Sequence, residues 1–190
     1  MKASFSLLIA FLILFSLKSN AQAPVFNDSL FQVMHVLEFP GVGKDELFKR
    51  AKAWVNNKYK TSSAVINFDD KSPDLYSITF EPMRNVDFFS DVRSFSAVTE
   101  YRVRILVKDG KCKLELKHFY CLGLYNYKTE ALEYPQGEQG DLSLKRRPRL
   151  NGIFHTDWDY IRMKVKEFAI AQVIDFEKSM KAVNAENDNF

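Results

Sequence analysis

Histidine and cysteine are scarce in this chain, three and two among 190 residues. No HExxH pair occurs and no two histidines stand at metal-ligating spacing, so no metal centre is expected. The G-x-S-x-G elbow of an acyl-transfer nucleophile is missing, as are the phosphate-cradling P-loop and the dinucleotide fingerprint. Nucleoside phosphates and nicotinamide cofactors therefore drop out of the expectation, and no cofactor is expected. Internal repeats and low-complexity tracts are also lacking, which excludes a solenoid.

The two cysteines do not suggest a disulfide. Cys112 and Cys121 fall in one predicted strand, nine residues apart. About 30 Å of extended chain separates them, whereas a bridge needs Cα atoms within about 7 Å. Two unpaired thiols are expected, with Cys112 buried as a small hydrophobe.

No apolar run is long enough to span a bilayer. The longest, Phe5 to Leu17, has about 13 residues and reaches roughly 20 Å as a helix, against a hydrocarbon core of ~30 Å. Lys2 precedes it, Lys18 ends it, and Ser19-Asn20-Ala21 offers a small-residue cut. That order is the pattern of a secretory signal peptide. Residues 1–21 read as the signal, with cleavage after Ala21 or after Ala23. Residues 22–30 read as an N-terminal extension, 31–183 as one domain and 184–190 as a flexible tail. The expected location is the periplasm or beyond, with no integral membrane anchor after cleavage.

Charge of one sign is lacking too. Lys2 and Lys18 leave with the signal, which takes the 27 basic residues to 25 against 24 acidic ones. A near-neutral exported domain has neither the access nor the charge for nucleic acid, which is excluded as a partner.

What the chain does have is a folded composition, 46% apolar with 17 phenylalanines. Phe31 to Phe39 alternates as a strand with Phe31, Val33, His35, Leu37 and Phe39 on one face, and Pro40-Gly41 ends it. Leu47, Phe48, Ala51, Trp54, Val55 and Tyr59 recur at helical spacing over 44–59. Short strands are predicted at 64–69 and 75–83, and 84–97 reads as an irregular connection carrying Phe88, Phe89 and Phe95.

Tyr101 to His118 is the clearest local signal, because Asp109-Gly110 stands between two alternating runs and suits a two-residue hairpin turn. Pairing Lys108 with Lys111 sets Val107 against Cys112, Ile105 against Leu114, Val103 against Leu116 and Tyr101 against His118 on one face. On the other face Arg104 meets Glu115 and Arg102 meets Lys117.

After a long connection over 123–153, a terminal helix is predicted with Thr156 as N-cap. Trp158, Ile161, Val165, Phe168, Ala169, Phe176 and Met180 make its main apolar stripe; Met163, Ile170 and Ile174 make a second, expected to pack with Phe88 and Phe89. The order β-α-β-β-β-β-α predicts an α+β domain, an antiparallel sheet with two helices packed on one face.

The stretch VLEFPGVGKDELFKRAKAWVNNKY, the YRVRILVKDGK hairpin and the terminal helix resemble a family of exported bacterial domains of unknown function. Its markers here are Lys44-Asp45-Glu46-Leu47, Trp54 and Lys108-Asp109-Gly110-Lys111, and the likeness runs from about Val33 to Val183. The resemblance implies a fold like that of the TATA-box-binding protein (TBP-like), an envelope location and no particular activity. A sheet of that kind does not carry DNA binding with it.

The candidate ligand-binding residues are Arg102, Arg104 and Lys117 on the open sheet face, with the basic loop residues Lys145, Arg146, Arg147 and Arg149. Such cations suit an anionic envelope component, whether glycolipid, glycan or acidic protein. The leading expectation is a non-catalytic binding module. The alternative is an envelope hydrolase using His155 or His118 with nearby carboxylates. His35 and His118 fall on the helix-facing side by parity, where a lone histidine is ordinarily a hydrogen-bonded core residue. Cys121 and His118 are three apart, on opposite faces unless a bulge intervenes.

Overall fold

The computed structural model describes residues 23–59, 66–89, 94–126, 131–133, 140–144 and 155–182. Nine strands and two helices occur among the described residues. The strands are β1 (Phe26–Asn27), β2 (Gln32–Glu38), β3 (Ile66–Lys71), β4 (Tyr76–Phe80), β5 (Met83–Phe89), β6 (Ser94–Lys108), β7 (Lys111–Asn126), β8 (Ala131–Glu133) and β9 (Gly140–Asp141). The helices are α1 (Lys44–Lys58) and α2 (His155–Ala182). Residues 1–21, expected to be a signal, the basic loop 145–149 and residues 184–190, expected to be a tail, lie outside the described residues.

The hairpin of β6 and β7 is the spine, and every described pairing is antiparallel. The main strand order is β1-β2-β7-β6-β4-β3. Strands β2, β9 and β8 pair with successive stretches of β7, and β4 and β5 with successive stretches of β6. The register around Asp109-Gly110 is as expected, with Val107 opposite Cys112 and Arg104 opposite Glu115. Gly110 sits at φ +70, backbone that glycine reaches without a Cβ clash.

Two stretches expected to be irregular are strands. Of residues 84–97, placed in a connection by sequence, 84–89 and 94–97 belong to a ladder that runs from Met83↔Glu100 to Phe89↔Ser94. Pro82 breaks the strand pattern there without moving the register, since its carbonyl still accepts the Tyr101 N–H at 3.2 Å. Likewise β7 runs on to Asn126, and β8 and β9 arise within the segment expected to be a long loop. Helix α2 already includes His155, so Thr156 lies inside its first turn rather than at the cap.

A bulge corrects the expected parity. Glu100 pairs with Tyr120 and Arg102 with Lys117, so His118 and Phe119 together oppose Tyr101. His118 takes φ +55 and is exposed instead of helix-facing. Before the bulge Cys112, Leu114 and Leu116 are buried; after it the buried positions are Phe119 and Cys121. The extra residue thus keeps apolar side chains under the helices along a strand whose alternation slips. Phe119 stacks on Tyr101 with ring centroids 5.5 Å apart.

Both helices cover one face of the sheet. Leu47, Phe48, Ala51, Trp54 and Val55 of α1 and the main stripe of α2 are buried, each large apolar side chain contributing about 1.5–3 kcal/mol. Trp54 meets Phe176 edge-on at 4.9 Å and donates its indole N–H to Asp175 at 3.0 Å. Arg50 reaches the Met180 carbonyl at 3.2 Å, placing a cation at the end of α2 where the helix dipole is negative. Both cysteines are buried and neither is in a disulfide, and burial pushes the Cys112 thiol up to about 12.

Candidate functional site

The face opposite the helices carries the even-numbered residues of β2 and of β6 up to Lys108, and the odd-numbered ones of β7 up to Lys117. Met34 and Val36 are exposed there, and Ser77, Thr79, Arg102, Arg104 and Leu106 are half-buried. Among the described residues neither helix covers this face, and it brings Arg102, Arg104 and Lys117 together as expected.

Its centre is a carboxylate among cations. Glu115 is only 5% exposed. Lys113 and Lys117 flank it on the same strand, at 2.6 and 3.3 Å from its two oxygens. Arg104 stands across the strand pair from it and makes no ion pair among the described residues. Burial alone would raise the Glu115 carboxyl; the hydrogen bonds and charges of Lys113 and Lys117 outweigh that and hold it below the usual carboxylate value. One carboxylate cannot neutralise three cations, so this spot keeps a positive surplus. Lys113 was missed in the sequence reading, although its parity with Glu115 and Lys117 places it on this face.

The juxtaposed cations Arg102 and Lys117 do not need an outside anion, since each has its own carboxylate. Arg102 donates from Nε to Glu81 at 2.6 Å, and Lys117 is held by Glu115.

Beside this cluster the bulge opens a depression of ≈ 260 Å³. Glu81, Glu100, Arg102, His118, Tyr120 and Asp141 line it. His118 therefore shares the depression with carboxylates, as the hydrolase alternative requires, but among the described residues no serine, threonine, cysteine or lysine lines it. His35 lies on the helix side, its Nε2 3.2 Å from Glu177 of α2, so strand adjacency does not bring it to His118. Among the described residues no group of three or more His, Cys, Asp or Glu is arranged to hold a metal ion.

The basic residues Lys145, Arg146, Arg147 and Arg149 and the side chain of His155 lie outside the described residues. The chain that leads into the basic run is fixed. Trp158 donates to the Leu144 carbonyl at 3.1 Å, and the buried Arg162 donates to the carbonyls of Leu142 and Leu144. On α2, Met163 and Ile174 are exposed and Ile170 is half-buried, so the second stripe is not covered by the described residues; the side chains of Phe88, Phe89 and Phe95 lie outside them.

Residues 34–121 match the family of domains of unknown function (DUF4468) with a TBP-like fold. Two crystal structures share the architecture. One, a DUF4468 family protein from Bacteroides ovatus ATCC 8483, is 14% identical with a TM-score of 0.54 over 85% of this chain and 92% of that one. The other, a TBP-like protein from Parabacteroides distasonis ATCC 8503, is 14% identical with a TM-score of 0.55 over 84% and 97%. At that identity they establish the fold alone. No curated protein matches the chain.

Proposed function

We propose, from the premise that this domain belongs to the DUF4468 family with its TBP-like fold, that the protein is a non-catalytic binding module of the cell envelope. Its open sheet face binds an anionic envelope component. The observation that carries this reading is the trio Arg104, Lys113 and Lys117 around the single carboxylate of Glu115. Glu115 holds the lysines in place, and the surplus charge is available to an incoming anion. Export is part of the proposal and is supported by the N-terminal signal pattern; the envelope is a compartment that offers anionic glycolipids and glycans. The basic residues Lys145, Arg146, Arg147 and Arg149 would add to the same surface.

Long-chain inorganic polyphosphate serves as a charge-only probe. The paired change Arg104→Glu with Lys113→Glu is expected to weaken its binding at least tenfold while the circular dichroism spectrum stays unchanged. Reversing Arg146 and Arg147 tests the loop in the same assay. Binding that survives all four reversals would remove the proposal.

The hydrolase reading keeps one supporting observation, that His118 lines one depression with Glu81, Glu100 and Asp141. Among the described residues the lining holds no serine, threonine, cysteine or lysine, so the usual nucleophiles of acyl transfer are not offered there, which favours the binding reading.

A further inference from the structure

We infer that the depression at the β7 bulge is a saccharide subsite, and that the ligand of the open face is an acidic glycan. The inference rests on the anionic-ligand reading above and adds the chemical class.

Size is the first constraint. At ≈ 260 Å³ the depression falls below the roughly 300–1,000 Å³ of pockets for drug-sized ligands, so it suits a single ring-sized group. Hydrogen-bonding balance is the second. Glu81, Glu100 and Asp141 offer acceptors, while Arg102, His118 and Tyr120 offer donors. With Glu81 engaged by Arg102, a bare anion would still meet the carboxylates of Glu100 and Asp141, and among the described residues no carboxylate group is arranged to hold a bare metal ion. A polyol both donates and accepts at every hydroxyl and suits all the walls at once. Tyr120, 39% exposed, adds an aromatic ring against which a sugar's C–H face can lie.

Backbone geometry is the third. His118 occupies φ +55 at a bulge where glycine would sit without a Cβ penalty. A histidine kept in that conformation, aimed at the depression, serves the depression and not the hairpin. Position is the fourth. Arg102 lines the depression and pairs across the ladder with Lys117 of the cationic trio, so a charged saccharide can place a ring in one and an acidic group on the other.

The experiment prints neutral and uronic-acid oligosaccharides on one panel and compares four forms of the protein, with polyphosphate measured in parallel. Wild type should retain uronic-acid oligosaccharides most strongly and some neutral ones weakly. The double variant Glu100→Gln with Asp141→Asn should lose at least tenfold on every retained saccharide and leave polyphosphate binding no weaker than wild type. His118→Gly should lose saccharide binding with an unfolding temperature unchanged or raised. Arg104→Ala with Lys113→Ala should lose the preference for acidic over neutral saccharides. A panel on which nothing is retained, or on which the pocket variants bind like wild type, overturns the inference. If polyphosphate still binds, the broader anionic reading survives that loss. Saccharide binding that depends on Glu100 and Asp141 without any polyphosphate binding would instead keep the subsite and remove the anionic reading.

Discussion

Asp109 at the tip of the β6–β7 hairpin accepts the backbone N–H of Lys44, the first residue of α1, at 2.8 Å across 65 residues of chain. Gly43, at the cap position, makes no side-chain cap bond of its own, so the hairpin caps the helix from outside. The weld is reinforced by backbone bonds from Gly110 N to Val42 O at 2.9 Å and from Phe39 N to Gly110 O at 2.7 Å. The two sequence markers Lys44-Asp45-Glu46-Leu47 and Lys108-Asp109-Gly110-Lys111 are therefore one structural joint.

Breaking that joint should be measurable. Asp109→Ala is expected to cost about 1 kcal/mol, the usual worth of a helix cap. Gly110→Ala is expected to cost about 1–2 kcal/mol through left-handed backbone alone, because its Cβ would meet nothing closer than the Phe39 carbonyl at 3.6 Å. Urea unfolding midpoints test both, and faster amide exchange over 44–47 should accompany the first.

Acid should destabilise the domain. The carboxyls of Glu115, Asp175 and Glu177 are all held below their ordinary values. For Asp175 burial pushes upward but is outweighed by hydrogen bonds from Trp54 and Lys58 and by the charges of Lys58 and Lys178. For Glu177 the Lys181 hydrogen bond leads, with His35 adding to it. A lowered folded value means the unfolded chain takes up protons first. Stability should be full above the ordinary carboxylate values of 4.5 and 3.8 and decline as pH falls below them. Unfolding midpoints between pH 7 and pH 3 check this, and Glu177→Gln should flatten the decline.

A buried hydroxyl offers a stabilising change. Thr99 Oγ1 is buried without a hydrogen-bond partner among the described residues. Thr99→Val has the same shape and removes the unmet group, so a gain of about 1 kcal/mol is expected by thermal unfolding.

Removing the central carboxylate should separate stability from binding. Glu115→Gln leaves Lys113 and Lys117 without their partner, which lowers stability, and it strips the one negative charge from the trio. Polyphosphate affinity should rise about fivefold, the equivalent of about 1 kcal/mol for one charge at close range in high dielectric. Calorimetric titration against wild type reads the change.

Where the sequence spoke through local chemistry, it was legible. Asp109-Gly110 set the hairpin, and with it the shared face of Arg102, Arg104 and Lys117. The helical stripes of Trp54 and Trp158 gave both helices. The bulge was not legible, because His118 occupies a position at which a glycine would have signalled the slip. Without the bulge, Glu100, Tyr120 and His118 could not be placed in one depression. Strand β5 was hidden for another reason: Pro82 and the polar residues Arg84, Asn85 and Asp87 mask an alternation that only pairing with β6 reveals.

The most direct test of the anion-binding face is residue-resolved: amide chemical shifts of the labelled protein during titration with polyphosphate. The largest shifts should cluster at Arg102, Arg104, Lys113, Glu115 and Lys117 and shrink as salt rises. Shifts confined to the surface of the two helices, or none at all, would contradict it.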